Sequence, residues 1–193
     1  IVLYMISHAV QQDDSRHIRT LAELNAVTYG DNMIADLNAG INITDTLEQL
    51  LISTDGRIDK FDIIADRMMA DYVRSIQVAP GGIVTDIYPA ESNEAGKIDL
   101  IHDKYRGETV KYSIANDALI IHGPFELEQG GHVLSIRNPV FLQDEKGTPY
   151  FWGMTMVIIK VPDIFQHSAD ALTNFDYQYR PVSYTHLTLP TIA

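Results

Sequence analysis

The chain has 193 residues, and 14 Lys+Arg against 26 Asp+Glu give a formal net charge of −12 with the histidines neutral, which argues against an electrostatic nucleic-acid binder. With 46% hydrophobic and 21% charged residues the composition is that of a globular domain, long enough to bury a sizeable core without staples. Cysteine is absent, which removes disulfides, thiolate-ligated metals and thiol nucleophiles.

The run Ile-Val-Leu-Tyr-Met-Ile at 1–6 starts without a methionine, so residues 1–7 read as the end of a truncated membrane helix in a longer protein. No window reaches the ~18–20 uncharged apolar residues that a bilayer-spanning helix requires. From about Met5 to Asn38 there is no proline, and Val10, Ile18, Leu21, Leu24, Val27, Ile34 and Leu37 recur at three- and four-residue spacing. That pattern predicts a long amphipathic helix. Gly40 is expected to end it, and Asp45 with Glu48 three positions later resembles a capping pair opening a short second helix through Leu51. After a turn at Asp55-Gly56, the stripe Ile58, Phe61, Ile64, Ala65, Met68 and Tyr72 predicts a third helix, so that residues 8–73 form a helical stalk.

The pattern changes at Ser75. Strands are predicted at Ile76–Ala79, Ile83–Tyr88, Ala118–Ile121, Val133–Leu142 and Tyr150–Val161, with turns at Pro80-Gly81-Gly82, Gly130-Gly131 and Glu145-Lys146-Gly147. A helix fits Arg106–Asn116, and Pro162 at a first turn opens another to about Leu172. The expected class is α+β: a PAS-like antiparallel sheet lobe over 74–161 carried on a helical stalk, with 162–180 leading away from it. The last stretch, Val182-Ser-Tyr-Thr-His-Leu-Thr-Leu-Pro-Thr191, resembles the in-frame translation of a sequencing-library adaptor, so 181–193 are set apart from fold reasoning.

Chemistry-bearing motifs are few. The segments Ala79-Pro80-Gly81-Gly82 and Gln129-Gly130-Gly131 lack the pattern of a phosphate loop and read as hairpin turns. Asp13 and His17 share a helix face at metal-ligand spacing, but the remaining histidines are scattered and a solvated face is the better reading, so no metal or other cofactor is expected. No serine sits in a Gly-x-Ser-x-Gly elbow, and paired acids in so acidic a chain read as solvated faces; no catalytic site is expected.

What remains is a dense run of turn formers, aromatics and charges at the strand ends. In order these are the Ala79-Pro-Gly-Gly82 strand pair, Tyr88-Pro89 followed by Ser92-Asn-Glu-Ala95 and Asp99-Leu100, Gly123-Pro-Phe with Leu127 and Gln129-Gly-Gly131, Arg137-Asn-Pro-Val140, and Phe151-Trp-Gly153. Over about residues 8–180 this ordered set resembles the CHASE domain, the extracytoplasmic sensor of bacterial and plant receptor histidine kinases and of bacterial diguanylate cyclases.

The resemblance implies a long helix rising from the membrane, a PAS-like distal lobe holding a small-molecule pocket, and a smaller membrane-proximal lobe returning to a second membrane helix, with the output domain beyond Arg180. On the matching segments, the ligand-holding carboxylate falls to Asp99 and the aliphatic residue against the ligand ring to Ile121. Arg137 alternates with Ser135 and Val133 on one strand face; if that face is the pocket wall it is expected to clamp a carboxylate or pair with Asp99, and if it faces water it is a solubilising edge charge. Tyr88, Phe125 and Trp152 are candidates for the pocket's aromatic walls, with core packing as the alternative reading. Gln129-Gly130-Gly131 follows the bacterial form of the motif, and the ligand class stays open. The expected function is extracytoplasmic small-molecule sensing at a cell membrane by a homodimer joined along the Met5–Asn38 helix. The alternative is a stalk or dimerisation module that binds nothing, and the two are separated by whether Tyr88, Asp99, Arg137 and Trp152 converge on one hollow.

Overall fold

A computed structural model describes residues 2–90, 95–126 and 130–166, with side chains from residue 16 onward except 17, 18, 22 and 26. The first element, α1 (Val2–Ser53), is one uninterrupted helix. Gly40 does not end it, and Asp45 and Glu48 lie inside it and cap nothing. Gly40 is there for contact. A Cβ at this position would meet Ile159 Cδ1 at 2.3 Å and Ile136 Cδ1 at 3.0 Å, so the missing side chain lets the helix lie directly on the sheet. Beyond it Ile43, Leu47 and Leu51 are buried against that sheet, whereas Leu21, Leu24, Val27 and Ile34 on the preceding turns are exposed.

A turn through Asp55-Gly56 leads to α2 (Phe61–Met68), shorter than the stripe to Tyr72 suggests, because the chain turns extended at Met69 and enters β1 (Val73–Pro80). Then follow β2 (Asp86–Tyr88), α3 (Gly107–Asn116), β3 (Ile120–Glu126), β4 (His132–Gln143), β5 (Pro149–Val161) and a single 3₁₀ turn at Asp163–Phe165. The expected helix beyond Gln166, the segment to Arg180 with its smaller lobe, and the adaptor-like end lie outside the described residues.

The five strands form one antiparallel sheet in the order β2-β1-β5-β4-β3, so the fold is α+β with a PAS-like sheet beside a long helix. Central strands β4 and β5 are buried on both faces, which a one-sided sheet would not require. One face carries Ile76, Val78, Ile136, Val140, Val157 and Ile159 and packs on α1 and α2. The other carries Ala79, Met154 and Met156, covered by Val84 from the β1–β2 connection and by Leu100 and Val110 of α3 and its approach.

The two glycines of α1 provide opposite tests. Gly40→Val should lower stability by about 1–3 kcal/mol, since two methyl groups are forced between helix and sheet. Gly30, with nothing within 4 Å of a Cβ, should gain about 0.5–1 kcal/mol of helix stability as Gly30→Ala. Urea unfolding midpoints measure both, and equal midpoints for the two variants would disprove the close approach at Gly40.

Candidate functional site

Strand β4 places side chains alternately on the two faces. Val133, Ser135 and Arg137 point toward α3, while Leu134, Ile136 and Asn138 point toward α1. Across the β3–β4 pairing His122 stands opposite Ser135, Ile120 opposite Arg137 and Phe125 opposite Val133. On the other side Met156 stands opposite Arg137. Arg137 therefore sits between Ile120 and Met156 on the α3 face, two residues from Ser135 and diagonal to His122.

Arg137 is 2% exposed and Ser135 is wholly buried. Among the described residues, the buried side-chain polar atoms without a hydrogen-bond partner are His122 Nδ1, Ser135 Oγ, Arg137 Nε and Arg137 Nη1, all in this one patch. A folded protein rarely leaves such atoms unanswered, because each forfeits its hydration without replacement. Burial and the charge of Arg106 push the Arg137 guanidinium down to about 10, with Asp103 opposing them, so it remains a cation at neutral pH. Asp103 and Arg106 open α3. The Asp103 carboxylate accepts the Tyr105 and Arg106 backbone N–H groups, each at 2.8 Å, and lies 3.9 Å from Arg106 Nη1. It is already engaged by its own turn. His122 packs its ring 5.8 Å from that of Phe125, and burial followed by Arg137 and Arg106 holds its imidazole below the ordinary value.

The residues singled out from sequence are divided by the sheet. Arg137 and Phe125 share the α3 face. Ile121, opposite Ile136, and Tyr88, opposite Ile76, pack on the α1 face, and Tyr88 donates its hydroxyl to Asp66. Trp152 packs there too, its ring over the positive-φ turn at Gly56, where a Cβ would meet the indole. A bulge between Val140 and Phe141 is the cause: Gly153 pairs with Val140 and Phe151 with Phe141, so Trp152 is skipped and the alternation reverses. Asp99 lies in the turn before α3, where it accepts the N–H groups of Ile101 and His102, each at 3.1 Å, and lies 2.8 Å from His102 Nδ1. These bonds, led by that to the His102 ring, lower its pKa. Tyr88, Asp99, Arg137 and Trp152 thus do not converge. Sequence reasoning missed His122, whose signal was available: it is the polar residue of β3 directly across from Ser135. Among the described residues no three of His, Asp or Glu gather as metal ligands.

The opposite face of β4 is fully partnered. Asn138 Nδ2 donates to Glu48 Oε2 at 2.7 Å and to Asp45 Oδ1 at 3.4 Å, and Thr155 Oγ1 donates to the Thr44 carbonyl at 3.1 Å. Burial foremost, with Asp45 and Asp117 adding to it against the Asn138 bond, raises the Glu48 pKa.

No family model matches the chain, and no curated protein matches it. Among solved structures it is similar to an extracellular ligand binding receptor from Desulfohalobium retbaense DSM5692, with a TM-score of 0.54 and 16% identity over 72% of this chain and 25% of that one. The chain thus spans about a quarter of that receptor's length, and the likeness is one of fold.

Two titrations follow from these environments. The folded-state pKa of His122 lies below that of the unfolded chain, so the unfolded state takes up the proton first; its contribution is intact above the ordinary imidazole range and is lost as pH falls through 6.5 and below. His122→Gln should remove this acid-side loss, seen as a narrowing stability gap to wild type between pH 7.5 and 5.5. Glu48 has the opposite sense: its raised value favours the folded state at low pH, and stability declines as pH rises through the carboxylate range. Glu48→Gln keeps an acceptor for Asn138 and should raise stability at pH 7 by a few tenths to about 1 kcal/mol, a gain that vanishes near pH 4 in thermal melts.

Proposed function

We propose that this chain is the extracytoplasmic small-molecule-sensing domain of a membrane-bound signalling receptor of the CHASE type. The observation that carries the reading is the set of unanswered polar atoms on Arg137, Ser135 and His122, buried between sheet and α3. Polar groups sequestered from water without partners are what a preorganised binding site contains before its ligand arrives. Two further observations agree with it, while the failure of Tyr88, Asp99, Arg137 and Trp152 to converge counts against the pocket first expected and leaves the reading to Arg137 and its own neighbours. The ordered run from Ala79 to Gly153 resembles the CHASE motifs, and the solved structure of similar fold is that of an extracellular ligand binding receptor.

In this reading α1 is the stalk. Leu24, Val27 and Ile34 form its exposed stripe and pair with a second copy, and an output domain such as a histidine kinase or diguanylate cyclase is joined to the sensor in the intact receptor. Among the described residues no helix is long and apolar enough to cross a membrane, so the anchoring segments of the proposal lie elsewhere in the receptor. The ligand acts by binding one arrangement of lobe and stalk better than the other, and only that difference in affinity moves the equilibrium.

The test is a thermal-shift screen of the purified full chain against amino acids, purines and carboxylates. A ligand at one hundred times its Kd adds about 2.7 kcal/mol to the native state, and for a chain of this size that is a rise of about 5–10 °C in Tm. Sedimentation of the same samples should show dimers. A flat response to every class, with dimers still present, would instead identify a stalk module that binds nothing.

A further inference from the structure

We infer that Arg137, Ser135 and His122 form a subsite for a single carboxylate group, so that the sensed molecule is a small carboxylic acid or an amino acid bound through its carboxyl end. The inference rests on the sensing function proposed above and names its ligand chemistry. It begins from the four buried atoms that lack partners. Arg137 Nε and Nη1 are unanswered donors on different edges of one planar guanidinium, and either edge, completed by Nη2, presents a pair of N–H groups to the two oxygens of a carboxylate. Ser135 Oγ, two residues away on the same face, supplies a hydroxyl donor, and His122 Nδ1, across the strand pair, supplies a ring nitrogen.

Water alone is a poor substitute for such a partner. A buried water answers a hydroxyl or a ring nitrogen, but it leaves the charge of a 2%-exposed guanidinium unbalanced. The carboxylate that acts on Arg137 is Asp103, and it is held by the Tyr105 and Arg106 amides and shared with the Arg106 guanidinium. Two guanidinium groups against one carboxylate leave one positive charge in the patch, and the imidazole beside them is kept neutral by burial. One surplus charge calls for a monoanion. A carboxylate balances it, whereas a doubly charged phosphate would overshoot and be left partly unpaired. The apolar neighbours Ile120, Met156 and Phe125 leave the remainder of the ligand an uncharged surround.

The experiment uses the full chain, dialysed free of small molecules, as wild type, Arg137→Met and Ser135→Ala. The probes are acetate, succinate and glycine, their uncharged amides, inorganic phosphate and adenine. Without ligand, Arg137→Met should melt at or above the wild-type temperature, because it removes an unanswered buried cation. The carboxylates should raise the wild-type Tm and the amides should not. Arg137→Met should bind the carboxylates at least tenfold more weakly by calorimetry, and Ser135→Ala, which loses no existing bond, should fold as wild type and weaken them several-fold. A ligand-free Arg137→Met melting well below wild type, with carboxylates acting equally on both, would show Arg137 to be structural and overturn the inference. Stabilisation by adenine or the amides alone, undiminished in Arg137→Met, overturns the carboxylate while leaving a sensor. No response to any probe, with no small molecule retained by the freshly purified chain in native mass spectrometry, removes both.

Discussion

Strand β4 is buried on both faces from Val133 to Val140, and that double burial governs what its side chains can be. A strand with one wet face can carry polar residues at no cost; this one cannot. Its polar residues therefore fall into two kinds. On the α1 face Asn138 gives its amide to Glu48 and Asp45, and the neighbouring β5 places Thr155 against the Thr44 carbonyl. On the α3 face Ser135 Oγ, His122 Nδ1 and two of the Arg137 nitrogens have no hydrogen-bond partner among the described residues. One side of the sheet is chemically finished and the other is left open, and the functional reading follows from that asymmetry.

The alternation that exposes the difference was legible in the sequence, because Val133, Ser135 and Arg137 share a face in any extended strand. The positions of α3, β4 and β5 were legible too, each starting within one residue of the predicted start, whereas β2 begins three residues later than predicted and β3 begins two residues later and runs on to Glu126. Faces were harder to read. Ile121 and Tyr88 lie on the edge strands β3 and β2, which are partly exposed, so alternation does not say which of their sides meets which layer. Trp152 was hidden by a different cause, since a bulge adds one residue to the count and every assignment across it reverses. Asp99 offers the same chemistry to a ligand, a turn or a cap, and only coordinates distinguish these uses.

The long helix departs from its sequence pattern for a physical reason as well. Glycine after an amphipathic stretch signals a stop when the backbone must turn left-handed, but glycine is also what a helix needs where another backbone layer presses on it. Gly40 meets Ile136 and Ile159 from the sheet, and these lie about a hundred residues or more further along the chain. The acids that resemble a cap, Asp45 and Glu48, are likewise explained by a distant partner, Asn138. Local grammar fails here because the decisive neighbours are non-local.

Those non-local neighbours also connect the open face to the stalk. Arg137 and Asn138 are consecutive residues whose side chains leave β4 on opposite sides, one toward the proposed carboxylate and the other toward Asp45 and Glu48 of α1. In the proposed sensor, a ligand that drew Arg137 toward α3 would also disturb the seat of Asn138 between two acids that repel each other. Of the two acids Glu48 makes the closer bond to Asn138, 2.7 Å against 3.4 Å, and burial raises its pKa. Because α1 continues unbroken through Gly40, a change at Asp45 and Glu48 would in the proposed receptor be carried along one helix about 78 Å long. A helix that ended at Gly40, with a second opening at Asp45, would have put a joint between the sheet and the stripe of Leu24, Val27 and Ile34. The continuous helix removes that joint, and with it the place where a signal from the sheet would be lost.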